Sequence, residues 1–433
     1  MASRKSNQVG QNCSVENPTV VVLVPTQDFL AHSLPPATFP QDRVSASGGE
    51  RSLYELALAA QLAGYNVELR GEASKVLLSF VESAGGVALS CPETFREITD
   101  KDIIIFPEVI SPHQLFNYFH SGARLVMYQL SVPGSITWDG TPEWTLQRLT
   151  TVPYESLGRP ESFQAFDRLG VEMWTHSEGI ALAGERAGVH VTRFGIGPLL
   201  DVPSPVERSF DVAIVTENRW GQWAEDIVAK LPEASILRIP KRERVYSLAS
   251  ELRHAKVLVF PSRVEGLPRI VGEAASVGTV PVVLGTNPFL TEGDWGKGVV
   301  LVDHLDDMAN ATRDLLADDH RWRALSTAAA ASRAERGDLA AFVGRVGTAL
   351  EDIQPQVTSE IRKVFAQELM GEYGRRDETQ RILFERTVIQ AATIDELKSE
   401  RETRERHIEA MVHSRSWRST AWMRRLRRAL PLK

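Results

Sequence analysis

Short runs of consecutive apolar residues alternate along the chain with segments of helical periodicity. Thr19–Pro25 (TVVVLVP) is the first such run, and its length and β-branched content predict a strand buried on both faces of a parallel sheet. A helix is predicted next, because Leu53, Leu56, Ala57 and Ala60 are spaced so that they form one apolar face. Gly64 is expected to end this helix.

The same reasoning predicts nine further strands. Because helical or loop segments separate them, the series is typical of a parallel α/β fold. Two more helices are predicted at Leu305–Leu316 and Trp322–Glu335. The strands are Asn66–Leu69, Asp102–Pro107, Arg124–Leu130, Glu172–Ser177, Asp211–Thr216, Ser235–Pro240, Lys256–Pro261, Val280–Gly285 and Val299–Asp303.

A proline-rich segment, Pro198–Pro205, divides the strands into two series. We therefore predict an α/β fold of two Rossmann-like, doubly wound domains that face a cleft. The first domain is placed at 17–203 and the second at 204–354. Residues 355–433 are predicted to be a helical extension, whose partly heptad-like stretch 358–411 is interpreted as a long surface helix or weak coiled coil.

Composition narrows the functional class. The 433 residues carry a net charge of −7, which argues against general nucleic-acid binding. Only Cys13 and Cys91 are present, so neither a disulfide framework nor a cysteine metal site is expected. There is no apolar run long enough for a membrane span and no secretory signal pattern. A reducing, cytoplasmic location is the expectation.

The most informative segment is Val257–Gly285, where a predicted strand leads through a short loop into a helix. Pro268 is expected at the first helical position. Glu265 lies in the loop, and Glu273 lies five residues into the helix, roughly 7.5 Å along its axis. A helix start at the carboxyl end of a parallel strand binds phosphate, and a carboxylate further along suits a ribose diol. The segment therefore predicts a nucleotide diphosphate ligand.

This segment resembles the donor site of retaining glycosyltransferases of the two-lobed GT-B type. Glu265 and Glu273 have the E-x7-E spacing of those enzymes, and FPSRVEGLPRIVGEAASVGTVPVV is similar to the donor segment of glycosyltransferase family 4. SGGERSLYELALAAQLAGYNVEL, with Gly48 and Gly49 before the first helix, resembles the opening of the same family. The two matches cover the start of the first half and the core of the second.

The resemblance implies a hexosyltransferase-type enzyme that takes its sugar from a nucleotide diphosphate sugar, with no metal and no other cofactor. The first domain would then be the acceptor side and the second the nucleotide-sugar side. The catalytic residues of the enzyme would be Glu265, which would lie beside the donor sugar, and Arg219, whose positive charge would stabilise the diphosphate. Glu273 would bind the ribose. The donor-binding set implied by the resemblance is Gly48, Gly49, Gly266, Leu267, Pro268 and Glu273.

Two departures from the family pattern keep alternatives open. The lysine usual after Arg219 is replaced by Gln222 or Trp223, and the histidine usual after a middle strand of the first half has no counterpart in YQLSVPG. A non-catalytic scaffold that binds nucleotide sugars, or a nucleotide-sugar epimerase of the same fold, remains compatible with the sequence. His176 is interpreted as structural, and Asp100–Asp102 is not expected to bind metal.

The C-terminal tail, residues 414–433, contains seven basic residues and no acidic one. Trp417, Trp422 and Leu426 can share a helix face with arginines around it, which suits an anionic membrane surface. The tail also resembles those of bacterial surface-glycan glycosyltransferases. A glycan or lipid-linked acceptor and peripheral association with the inner membrane face are therefore expected. The alternative is that the tail docks on the acidic body of its own chain.

Overall fold

A computed structural model of the chain describes residues 18–24, 48–71, 75–92, 95–107, 118, 121–130, 163, 167, 170–216, 221–240, 247–262, 267–285, 292–353, 362 and 364. The chain forms two compact units, Met1–Gly371 and Glu372–Lys433. All described residues lie in the first unit. The predicted basic tail lies outside them.

The described residues of the first half form a six-stranded sheet, with the strands in the order β2-β1-β3-β4-β5-β6. All pairings are parallel. The strands are short, apolar and almost fully buried because helices cover both faces. They are β1 (Thr19–Leu23), β2 (Asn66–Arg70), β3 (Ile103–Pro107), β4 (Arg124–Gln129), β5 (Val171–Thr175) and β6 (Val191–Arg193).

A second parallel sheet follows, with five described strands in the order β11-β10-β9-β7-β8. The chain therefore builds two doubly wound lobes, and the predicted fold class is confirmed. We call them the N-lobe and the C-lobe. The C-lobe strands are β7 (Phe210–Val215), β8 (Ile236–Ile239), β9 (Ala255–Phe260), β10 (Val280–Leu284) and β11 (Val300–Val302).

Ten helices are described between and after these strands. No described helix is long and apolar enough to cross a membrane. The helices are α1 (Gly48–Leu62), α2 (Lys75–Gly85), α3 (Glu178–Arg186), α4 (Gly221–Val228), α5 (Ala249–Leu252), α6 (Arg269–Ser276), α7 (Glu292–Trp295), α8 (Asp307–Ala317), α9 (Asp319–Arg336) and α10 (Leu339–Asp352).

The last described helix, α10, belongs to the core of the N-lobe although it follows the C-lobe in sequence. Phe342 and Val346 are buried together with Val20 of β1 and Tyr54 of α1. Because α10 covers the outer side of α1, every residue from 51 to 60 is buried, not just the predicted apolar stripe. The domain limits 17–203, 204–354 and 355–433 stay predictions, with α10 as a helix that crosses between lobes.

The strand order places a topological switch point in each sheet. β1 lies between β2 and β3, and β7 lies between β8 and β9, so successive connections leave β1 and β7 in opposite directions. Parallel α/β sheets bind ligands at the carboxyl ends of the strands at such points. The predicted site residues follow β1, β7 and β9 in the sequence. The topology therefore leads us to expect these three segments at ligand-binding edges.

Candidate functional site

The loops that carry three predicted residues begin at the C-lobe switch point. Arg219 follows β7 after Thr216, while Glu265 and Gly266 follow β9 after Ser262. These three residues lie outside the described residues, and their roles stay predictions. The described ends of the loops fix where they start, which is the carboxyl edge of the two central strands.

The two glycines before the predicted first helix are part of it. Gly48 and Gly49 form the beginning of α1, whereas the sequence pattern assigned them to a preceding loop. The first N–H groups of a helix have no partner within the helix, and their positive end favours an anion. The acidic and basic residues Glu50 and Arg51 follow directly, so the first turn of α1 carries charged groups, of which Arg51 is buried.

Pro268 directly precedes α6 rather than opening it. Its φ of −67° and ψ of 115° are those of an extended N-cap residue, and the helix begins at Arg269. The prediction of Pro268 at the first helical position was therefore wrong by one residue. At either position proline suits the start of a helix, because it has no backbone N–H that would be left without a partner there.

Glu273 of α6 faces the N-lobe. One carboxylate oxygen, Oε1, accepts a hydrogen bond from Nη1 of Arg51 at 2.8 Å. The other, Oε2, accepts one from the backbone N–H of Leu248 at 2.9 Å. Glu273 is only 8% exposed. A carboxylate this deeply buried is stable only when it is paired and hydrogen-bonded, and both conditions are met here.

Glu55 extends this contact into a charge network between the lobes. Its carboxylate accepts hydrogen bonds from Nε of Arg51 at 3.1 Å and from Nη1 of Arg269 at 2.8 Å. Arg269 also donates to the hydroxyl of Ser52 at 3.0 Å. Burial alone would lower the pKa of Arg51, but Glu55 and Glu273 outweigh it and raise that pKa. We call Arg51, Glu55, Arg269 and Glu273 the inter-lobe network.

A fifth charged residue, Arg333 of α9, lies close to the inter-lobe network. Its Nη2 donates to the carbonyl oxygen of Gly197 at 2.7 Å, while its Nε and Nη1 have no hydrogen-bond partner among the described residues. Burial, followed by the nearby charge of Arg269, lowers its pKa to about 9. Arg333 therefore still carries a positive charge at pH 7, and it gives the buried cluster an excess of one cation.

His176 joins the lobes by accepting a hydrogen bond. Its Nε2 accepts from the backbone N–H of Leu267 at 2.9 Å. Burial, with a contribution from Arg269, lowers the pKa of His176 to about 3. The ring is therefore neutral and carries its proton on Nδ1. This geometry agrees with the structural interpretation of His176, and it engages the Leu267 amide that the resemblance assigns to the donor.

His176→Gln is expected to reduce the acid sensitivity of the fold. The unfolded chain protonates His176 near pH 6.5, whereas the folded ring resists protonation until about pH 3. Stability is therefore lost as pH falls from 6.5 towards 3. Glutamine keeps an acceptor for the Leu267 amide but does not titrate. Urea midpoints measured between pH 7.5 and 5 should fall less for the variant; equal losses would contradict the assignment.

Asp294 makes a third contact between the lobes. Its carboxylate accepts from the backbone N–H groups of Glu178 at 2.8 Å and Gly179 at 3.3 Å, at the N-terminus of α3. Arg193 donates to the same carboxylate at 3.2 Å. A carboxylate at this end of a helix is stabilised by the helix dipole. The sequence pattern gave no signal for Asp294, because α7 is short and irregular.

A cavity of about 420 Å³ is lined by Leu267 of the C-lobe and by the residues at the end of β6 and just after it. Three arginines and one aspartate supply its charged lining, so its wall is net positive and favours an anionic group. A larger cavity of about 590 Å³ shares Arg193, Phe194 and Arg345 with it. The lining of the 420 Å³ cavity includes Arg193, Phe194, Leu267, Asp294, Arg336 and Arg345.

The Asp100–Asp102 segment has a structural explanation. The carboxylate of Asp102 accepts from Nη2 of Arg96 and from the backbone N–H of Thr99, both at 2.8 Å. Burial raises the pKa of Asp102, but these hydrogen bonds outweigh it and lower that pKa. Within the described ranges, no group of three or more potential ligands could hold a metal ion.

The C-lobe matches a known family. Residues 199–318 match the family described as glycosyl transferases, group 1. This range includes every strand of the C-lobe sheet and the segments that carry Arg219, Glu265 and Glu273. This part of the chain is therefore similar to group 1 glycosyl transferases, and the predicted enzyme class, a glycosyltransferase, is confirmed. No curated protein matches the sequence significantly.

Solved structures share the two-lobed architecture. Sucrose-phosphate synthase from Thermosynechococcus elongatus is similar with a TM-score of 0.52 and 12% identity, over 77% of this chain and 98% of that one. HepE from Anabaena, in complex with UDP and glucose, is similar with a TM-score of 0.51 and 12% identity, over 77% and 99%. At these identities, the likeness establishes the GT-B fold alone.

Proposed function

We propose that the chain transfers a sugar from a nucleotide diphosphate sugar to an acceptor, with retention at the anomeric carbon. The observation that carries this proposal is the position of Glu273. It lies on α6 directly after a switch-point strand and faces the opposite lobe through Arg51. A carboxylate on a helix at the carboxyl edge of the strands suits a ribose diol, and Glu273 lies within the range that matches group 1 glycosyl transferases.

The surroundings suit a diphosphate. The starts of α1 and α6 offer backbone N–H groups, which bind phosphate oxygens well. The net positive wall beside Leu267 adds fixed cations. The departing nucleoside diphosphate gains negative charge during transfer, so donors and cations that are already in place lower the barrier. We propose that these groups and Arg219 neutralise the diphosphate without a metal ion.

The two acids have different roles in this proposal. Each oxygen of Glu273 uses one lone pair on Arg51 or Leu248, which leaves another to accept a ribose hydroxyl. Glu265 lies beside the donor sugar and stabilises positive charge that develops at the anomeric carbon. Gly266 and Leu267 contribute amides; the Leu267 amide would exchange its bond with His176 for a phosphate oxygen or share it.

The test combines a binding screen with product analysis. UDP-glucose comes first, because the structurally similar HepE was solved with UDP and glucose; GDP-, ADP- and dTDP-sugars follow. We expect one donor to raise the thermal midpoint by mass action and NMR of the product to show the donor's anomeric configuration. Inversion would contradict retention, and no binding across the panel would overturn the proposal. Binding without transfer or hydrolysis would favour a non-catalytic scaffold. Conversion of the nucleotide sugar into one with a different sugar configuration would favour an epimerase.

We also propose a cell-surface glycan or lipid-linked acceptor and a membrane role for the basic tail, residues 414–433. Each basic residue near an anionic surface contributes about 1 kcal/mol. The full chain should therefore sediment with vesicles that contain phosphatidylglycerol and stay in solution with neutral vesicles. Replacing Arg424, Arg425, Arg427 and Arg428 by glutamine should abolish sedimentation. Equal binding to both vesicle types would contradict the proposal.

A further inference from the structure

We infer that Arg51 is a positioning residue that joins the two lobes and holds Glu273 in the orientation a nucleotide sugar requires. This inference rests on the proposed function, because it assigns a donor-binding role to Glu273. It adds a residue of the N-lobe to the ribose site of the C-lobe. Donor binding and closure of the cleft then become a single event, coupled through one guanidinium.

Arg51 contacts both lobes at once. Its Nε donates to Glu55 on its own helix at 3.1 Å, and its Nη1 donates to Glu273 across the cleft at 2.8 Å. The exposed fraction of the Arg51 side chain is 7%, and that of Glu273 is 11%. Guanidinium has donors in a rigid planar fork, so fixing Nε on Glu55 also fixes the direction of Nη1. A lysine has no second donor set at that angle.

The orientation of Glu273 depends on both lobes. Leu248 holds Oε2 from the C-lobe side, and Arg51 holds Oε1 from the N-lobe side. Two hydrogen bonds to different oxygens fix the plane of a carboxylate. They also fix the directions of its remaining lone pairs, which are the ones offered to the ribose. Separation of the lobes removes the Arg51 contact and leaves the carboxylate free to turn about the Leu248 bond.

Glu55 makes this arrangement cooperative. It binds Arg51 of its own lobe and Arg269 of the opposite lobe, and its side chain is 1% exposed. Arg269 and Glu273 lie one turn apart on α6, so α6 contributes both a cation and an anion to the contact. Charges alternate through the four side chains, and each one polarises its neighbours in a low-dielectric interior. Closure of the lobes therefore forms all of these ion pairs together.

The distance between spin labels on the two lobes can be measured without a nucleotide sugar. Cys91 is exposed on the N-lobe, and Arg323 on α9 of the C-lobe has a side chain that is 73% exposed. In a Cys13→Ser, Arg323→Cys parent, double electron–electron resonance should give one narrow distance. Arg51→Gln should broaden and shift it, and Arg51→Lys should do so less. The control Arg238→Gln, which breaks an exposed pair within the C-lobe, should match the parent.

Donor kinetics complete the test. With the nucleotide sugar that the binding screen identifies, Arg51→Gln should raise the donor KM roughly 10-fold and change kcat less. Arg51→Lys should lie in between, and Arg238→Gln should be unchanged. An unaltered distance in Arg51→Gln would overturn the bridge. An altered distance with an unaltered KM would overturn the positioning role. If the parent binds no nucleotide sugar, the proposed function and the donor role fail together, while the distances still decide the bridge.

Discussion

Glu273→Gln is expected to raise the donor KM roughly 10- to 100-fold, because a neutral amide replaces a charged acceptor of the ribose hydroxyls. Glutamine fills the same volume and still offers one oxygen, to either Arg51 or Leu248. Alanine is the poorer choice, since it would leave both donors without an acceptor. Ribose contacts are similar in the ground state and the transition state, so kcat should fall less than kcat/KM.

Glu265→Gln is the matched comparison for this prediction. Glu265 is proposed to act beside the reacting sugar, so its loss should lower kcat, roughly 100-fold, with a smaller change in donor KM. Initial rates over a range of donor concentrations separate the two patterns. Unchanged kinetics in both variants would remove the proposed donor site, and the same pattern in both would contradict the division of roles.

Glu55→Ala is expected to cost about 3–5 kcal/mol in the free energy of unfolding, because it leaves buried cations without their shared anion. Among the residues that the structure describes, Arg269 would lose its carboxylate partner and keep the Ser52 hydroxyl. Arg51 would keep one described carboxylate, that of Glu273. The side chains involved are 1%, 7% and 17% exposed, so water compensates little. Urea denaturation followed by circular dichroism measures the loss.

Glu225→Ala controls for the removal of a paired glutamate. Glu225 binds Arg238 at 2.8 Å on the C-lobe surface, where the arginine side chain is 53% exposed. Exposed pairs contribute about 0–1 kcal/mol, so this variant should stay within that range of the wild type. If Glu55→Ala were no more destabilising than Glu225→Ala, the inter-lobe network would have no structural importance.

The periodicity of apolar residues was sufficient to predict the fold. Runs such as Val280–Gly285 combine β-branched content with a length of about five residues, and buried parallel strands have just these properties. The three-residue strand β6 was missed because its sequence, VTR, contains a single apolar residue, whereas the equally short β11 lies in an apolar run. The packing of α10 on the N-lobe was missed as well, because the apolar face of a helix does not indicate which lobe the helix packs against.

The site was predictable only where local sequence carries the chemistry. Glu273 was singled out from its spacing to Glu265 and from the strand–loop–helix order, and its donor-binding role stays a prediction. Arg51 and Glu55 were not, although they give one signal: two opposite charges four residues apart in a helix whose apolar residues begin at Leu53. Their partners lie more than 200 residues away, and only the packing of the two lobes reveals them.

Hydrogen–deuterium exchange, with and without the nucleotide sugar that stabilises the protein most, tests the central claim directly. The claim is that one donor molecule contacts both lobes in the cleft. Peptides from the beginning of α1, residues 48–55, and from the loop and helix at 261–276 should both become protected at saturation. Protection confined to one of these segments, or found elsewhere in the chain, would contradict it.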